Sequence, residues 1–163
     1  MKSWRLLFVI IVTSVAVFDQ ITKAIVHAML PLHASVTIIP GFLNFTHIHN
    51  TGMAFGFLDS VDILFKPALI ASIALAALIA LLIFAIRKAI YEPLAQLAFA
   101  FVIGGAIGNL IDRVTAGYVI DFIDVYWRNW HFWAFNVADS AITVGAVFLI
   151  LDMALKRDVS TTL

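Results

Sequence analysis

The chain has 163 residues, 63% hydrophobic and 12% charged, with zero formal net charge, five histidines and no cysteine. Soluble domains run at roughly 45–50% apolar and 25% charged, so this is the composition of an integral membrane protein, short enough to form one domain over 1–163. Zero net charge argues against a nucleic-acid partner, and the lack of cysteine excludes a disulfide framework, a thiolate nucleophile and a cysteine metal site.

Lys2 and Arg5 precede a long uncharged apolar run. A cleaved signal peptide has such a basic start, and Ser14-Val15-Ala16 offers small residues at a cut. Apolar character resumes beyond Asp19-Gln20-Ile21-Thr22-Lys23, which extends the run to 6–26. That is about 20 residues, a full span, so a retained first helix is the better reading. Residues 28–64 form a mixed outer loop. Within it, Val36 to Phe45 is rich in β-branched and aromatic residues around Pro40-Gly41, predicting two short strands about a turn. Asn50-Thr51-Gly52 follows, and then Met53 to Leu58, too short to span and suited to the membrane surface. Residues 67–86 make a second span, closed by Arg87-Lys88. Glu92-Pro93 starts the third, at 94–112. A second outer loop, 113–134, is dense in Tyr and Trp, residues that gather at headgroup level. The fourth span covers 135–155, closed by Lys156-Arg157.

Lys2, Arg5, Arg87, Lys88, Lys156 and Arg157 fall on one side of this layout, and Lys23, Lys66, Arg113 and Arg128 on the other. The positive-inside rule then places both termini in the cytoplasm and both loops outside.

Polar groups collect between Gly104 and Ser140. Charge at membrane depth costs about 2.5–3.5 kcal/mol per group at a helix centre, so acids kept there point to use. Asp121, in the extended piece Val119-Ile120-Asp121-Phe122, and Asp139, one turn after Asn136, make the best pair. The loop between them starts and finishes at one surface. Two carboxylates sharing a site cannot both ionise easily. The ionised member can take a proton from water while the protonated one polarises a carbonyl. That is aspartyl-protease chemistry, without metal or cofactor. Against it, each aspartate could cap a helix or pair with Arg113 or Arg128.

Asn109, Asp112 and Arg113 lie at i, i+3 and i+4, on one helical face. Arg113 suits either a substrate carbonyl or neutralisation of Asp112. Asp112 is the rival acid, although an adjacent arginine fits a structural ion pair better. Gly104, Gly105 and Gly108 form a small-residue packing face. Asp19 and Lys23, at i and i+4, read first as an ion pair at the outer end of the first helix. Asn50 can grip a peptide backbone or simply turn the chain. The histidines lack metalloprotease spacing. His47 and His49 share one strand face, which leaves a weak metal site open. Ser14 or Ser140 with Lys23 is a weaker Ser/Lys alternative.

Five motifs in order, Asp19 to Lys23, Asn50 to Phe55, Gly104 to Arg113, Val119 to Phe122 and Phe135 to Asp139, make the chain resemble the bacterial lipoprotein signal peptidases (signal peptidase II) over nearly its whole length. The resemblance implies an all-α membrane protein, a four transmembrane helix bundle with a small extracytoplasmic β-cradle and a surface helix at 36–58. It implies an aspartyl endopeptidase of the bacterial inner membrane. Its substrate would be a diacylglyceryl-modified prolipoprotein, cut N-terminal to the lipidated cysteine. By motif, Asp121 and Asp139 would be catalytic. Asn50, Gly52, Asn109, Arg113 and Asn136 would line the substrate site, which the cyclic peptide globomycin blocks. Asp19, Lys23 and Asp112 would support it, with membrane lipid as a neighbour, no metal and no required oligomer. The competing reading is a small transporter or proton-conducting subunit, since intramembrane Asp, Lys and Arg mark ion pathways. A third is a scaffold whose polar ends only hold the bundle together.

Overall fold

The computed structural model describes residues 2–52, 65–88 and 92–160. It contains four helices long and apolar enough to cross a membrane: α1 (Lys2–Met29), α2 (Lys66–Lys88), α3 (Pro93–Thr115) and α4 (Val137–Ser160). A four-stranded antiparallel sheet accompanies them, with β1 (Ser35–Ile39), β2 (Leu43–Asn50), β3 (Val119–Trp127) and β4 (Trp130–His131) in the order β1-β2-β3-β4. The chain is therefore a multi-pass membrane protein. The surface helix expected at 53–58 lies outside the described residues.

The helix α3 is the axis. Half of its apolar window is buried, against 17% for each of the others, and it packs on all three. Phe99 and Ile103 of α3 meet Leu78 and Ala85 of α2, with Phe8 and Val12 of α1 at the margin. The other helices leave Ile10, Ile25, Ile79, Phe84, Val147 and Leu155 exposed, the surface that lipid would cover. Close packing around α3 depends on its glycines. A Cβ at Gly104 would stand 2.9 Å from the Val15 Cβ on α1, one at Gly105 would meet the Ala138 backbone on α4, and one at Gly108 would lie 2.6 Å from the Asp19 carboxylate. The glycines of 104–108 thus form the small-residue packing face read from the sequence.

Two backbone devices bring the sheet to the end of α3. Gly117, at φ +82°, sits just past the helix, where its N–H and that of Ala116 donate to the Asp112 carbonyl. This left-handed stop suits glycine and turns the chain directly into β3. Phe135 then pairs with Ile123, exchanging N–H···O contacts of 2.8 and 3.1 Å. The segment entering α4 is thereby stitched to β3. The two strands predicted around Pro40-Gly41 form, but β2 runs on to Asn50, paired with β3 through His49↔Ile120 and Asn50↔Val119. Much of the loop predicted at 113–134 is strand instead, since its backbone groups are satisfied by β2.

Candidate active site

Where β3 passes the start of α4, Asp121 and Asp139 enter one hydrogen-bonded frame. Asp121 is 3% exposed. Its oxygens accept from Asn50 Nδ2 at 2.9 Å and Asn136 Nδ2 at 2.7 Å. Asp139 accepts from Asn109 Nδ2 at 2.7 Å and from the Asn136 backbone N–H at 3.3 Å. In return the Asp139 N–H donates to Asn136 Oδ1 at 2.9 Å. Asn136 and Asp139 therefore form a reciprocal capping box at the N-terminus of α4. The helix-capping alternative is real for Asp139, and it sets the carboxylate's position.

The orientation of all three amides is fixed by chemistry. Asn50 Oδ1 accepts the Gly52 N–H at 2.9 Å, Asn136 Oδ1 accepts the Asp139 N–H, and Asn109 Oδ1 accepts Lys23 Nζ at 2.9 Å. An ammonium and a backbone N–H only donate, so each amide must turn its NH₂ to an aspartate. Among the described residues, each hydrogen-bond partner of the two carboxyls is thus a donor. Among the described residues, neither aspartate forms an ion pair with Arg113 or Arg128. Burial pushes the Asp121 carboxyl up to about 7, and the nearby Asp139 charge adds to it, against the two amide hydrogen bonds.

Asp112 is built differently. Lys23 Nζ lies 2.7 Å from Asp19 and 2.8 Å from Asp112, and all three side chains are buried. Asp112 also accepts from Gln20 Nε2 at 2.8 Å and the Ile120 N–H at 3.4 Å, while Asp19 accepts the Ala138 N–H at 2.9 Å. One ammonium thus joins α1 to α3, and Asp19 ties α1 to α4. The Asp112–Arg113 pair weighed from the sequence does not form. Adjacent helical residues project about 100° apart, so Lys23 takes Asp112 and Arg113 points elsewhere. Arg113 donates to the Asn109 carbonyl and the Gly52 carbonyl, each at 3.3 Å. It stands at the wall of a groove of about 530 Å³ lined by Pro67, Ala71, Leu75, Leu110 and Gly117.

Among the described residues, Asp19, Lys23, Asn50, Gly52, Asn109, Asp112, Arg113, Asp121, Asn136 and Asp139 therefore enter one connected region. Comparison with known proteins shows the family. Residues 11–155 match the family described as signal peptidase (SPase) II. The chain belongs to the signal peptidase II family. A lipoprotein signal peptidase of Syntrophus aciditrophicus is 41% identical over 96% of this chain and 98% of its own. One of Pseudomonas aeruginosa PAO1 is 45% identical over 91% and 88%. A solved bacterial membrane enzyme, determined by the in meso method at 2.3 Å, superposes with a TM-score of 0.81 at 38% identity, over 94% of this chain and 90% of that one. As a signal peptidase II, the protein is an endopeptidase of the aspartic type. The transporter alternative gives way to this assignment.

Sequence reasoning overlooked one member of this network. Gln20 bridges Asp112 and the Gly108 carbonyl at 3.1 Å, within the Asp19 to Lys23 motif but unremarked beside its charged neighbours. Its signal was there, as an amide one residue from a buried acid on a lipid-depth helix. The histidines also converge: His27 joins His47 and His49.

Proposed function

We propose that Asp121 and Asp139 form the catalytic dyad, sharing one proton. The observation that carries this is the frame of hydrogen-bond donors, without an ion-paired cation among the described residues, that joins buried Asp121 to half-buried Asp139 through Asn136. The ionised carboxylate takes a proton from water as the water oxygen adds to the scissile carbonyl carbon. The protonated carboxyl gives its proton to the carbonyl oxygen, forming a gem-diol. Collapse then breaks the C–N bond. The amine nitrogen takes the proton that came from water, and the other carboxylate recovers its own from a gem-diol hydroxyl. Asn50, Asn109 and Asn136 keep both carboxyls aimed, and Gly52 fixes the Asn50 amide. Arg113 holds a substrate carbonyl at the mouth of the α2–α3 groove, which receives the apolar signal segment. Asp19, Lys23 and Asp112 support the site as its structural clamp.

The substrate proposed is a diacylglyceryl-modified prolipoprotein, cut N-terminal to the lipidated cysteine, with its acyl chains in surrounding lipid. A globomycin-type cyclic peptide would occupy the same groove. The whole of 1–163 acts as one peptidase domain of the bacterial inner membrane and needs no oligomer. Both termini lie in the cytoplasm, with the sheet and the dyad at the periplasmic surface. The basic residues support this orientation. On the proposed outer side, Lys23 is committed to Asp19 and Asp112, and Arg113 to the Asn109 and Gly52 carbonyls. The inner side's six basic residues therefore dominate the loop bias.

The test is cleavage of a lipid-modified precursor peptide by purified protein in detergent. Asp121→Asn and Asp139→Asn should each abolish it. Normal cleavage by either variant overturns the dyad.

A further inference from the structure

His27, near the end of α1, and His47 and His49, on β2, are unused by the mechanism. One ring nitrogen of each lies within 4.8 Å of the other two. His47 is buried, and its Nδ1 is 2.8 Å from the Leu30 carbonyl oxygen. A carbonyl only accepts, so Nδ1 carries the hydrogen and Nε2 presents its lone pair. Anchoring one ring nitrogen on a backbone carbonyl is how metal-ligating histidines are oriented. His49 Nε2 lies 3.2 Å from His47 Nε2. Two nitrogens about 2.0–2.1 Å from a tetrahedral zinc stand about 3.3 Å apart, so this pair is already at ligand spacing. The His49 ring is held by stacking on Tyr118, with centroids 3.7 Å apart and planes 17° from parallel. His27 faces His47 edge-on at 5.4 Å and is exposed, so its nitrogen reaches ligand spacing by a shift of about 1.5 Å or less.

We propose that His27, His47 and His49 form a binding site for a divalent transition-metal ion of the zinc class, three imidazoles leaving a fourth position to water. The all-nitrogen donor set suits zinc, copper(II), nickel and cobalt and disfavours magnesium and calcium, which want oxygen ligands. In the metal-free chain the His49 Nε2–H donates to His47 Nε2. When the ion binds, that proton moves to His49 Nδ1, so both rings stay neutral and none is released. The bound ion clips the end of α1 to β2, beside Asn50 and outside the dyad.

The test is titration of the purified full-length protein in detergent with Co²⁺, followed by its visible absorption bands, and displacement by Zn²⁺. One saturating equivalent is expected, with a zinc-dependent rise in Tm that EDTA reverses. His27→Ala, at an exposed position, and His49→Phe, which keeps the stack on Tyr118, should each weaken binding by more than about tenfold, the least that losing even an outer-sphere partner costs. His131→Ala should bind as the wild type does. Peptidase activity of the two variants in EDTA checks that they fold. No saturable binding to the wild type overturns the proposal. So does binding by either folded variant as tight as the wild type's, or loss of binding in His131→Ala.

Discussion

Asp19 and Asp112 share the ammonium of Lys23, at 2.7 and 2.8 Å, whereas Asp121 and Asp139 are held by N–H donors from Asn50, Asn109 and Asn136. The two groups of acids are contiguous, since Asn109 accepts from Lys23 on one side and donates to Asp139 on the other. What separates them is charge balance. Two buried carboxylates that share an ammonium are tied through it and hold helices together. Two carboxyls in one frame with no ion-paired cation favour a shared proton, and a retained proton at neutral pH is the means of general acid–base catalysis. On the proposed mechanism, neighbouring acids divide into clamp and chemistry by the partners folding gives them.

The sharpest way to break this division is to change one acid of each kind. Asp121→Asn or Asp139→Asn should lower kcat/KM by at least about 10²–10⁴-fold, the general range for losing an acid–base group, as measured on a lipid-modified precursor peptide. Lys23→Met should act on the other property. It leaves two buried carboxylates without a cation, which costs about 3–5 kcal/mol, read as a lower Tm in detergent. If Lys23→Met kept its stability but lost activity even when folded, the clamp would belong to the chemistry and the division would fail.

Gly108→Ala sharpens the comparison at smaller scale. A Cβ there would stand 2.6 Å from the Asp19 carboxylate. Alanine gains up to about 1 kcal/mol in helix propensity over glycine. Overpacking costs about 1–3 kcal/mol and here strikes a buried ion pair, so overpacking wins. A moderate loss of Tm with activity retained below it is the expected result.

How much of this was legible beforehand depended on the range of the interaction. The four apolar spans and the hairpin about Pro40-Gly41 are local patterns, and composition reveals them. The pairing of Asp121 with Asp139 followed from topology alone, because the chain leaves and re-enters the bundle at one end. The frame around them did not follow. Asn50 reaches Asp121 across 71 residues only because β2 continues past Phe45 and pairs with β3, a register set by backbone partners that sequence spacing does not encode. Asp112 misled for a related reason. Adjacency in sequence suggested Arg113, but its cation comes from another helix, 89 positions away in the numbering. The resemblance to a family supplied the residue set, and only the packing showed which acids have a counter-ion.

The finest test is the pH dependence of cleavage. Asp121 is raised from 3.8 to about 7, first by burial and then by Asp139. Between those values the folded chain holds a proton that the unfolded chain has released, so this group's contribution to stability is fully present below about 4 and is lost as pH rises to about 7. The same proton is the one the proposed dyad needs. The profile of kcat/KM should therefore fall on a basic limb near pH 7, an apparent value that belongs to the pair. The amide of Asn50 donates to Asp121 and favours its ionised form. Asn50→Ala removes that donor, so Asp121 should hold its proton to higher pH. A hydrogen bond to a charged group is worth about 1.5–3 kcal/mol, which corresponds to a shift of roughly one to two pH units, and the limb should move up by that order. Gln20→Ala removes a donor from Asp112, whose charge Lys23 balances, so the limb should stay in place. If Gln20→Ala moved the limb and Asn50→Ala did not, the titrating acid would be the clamped one, and the roles of the two groups would have to be exchanged.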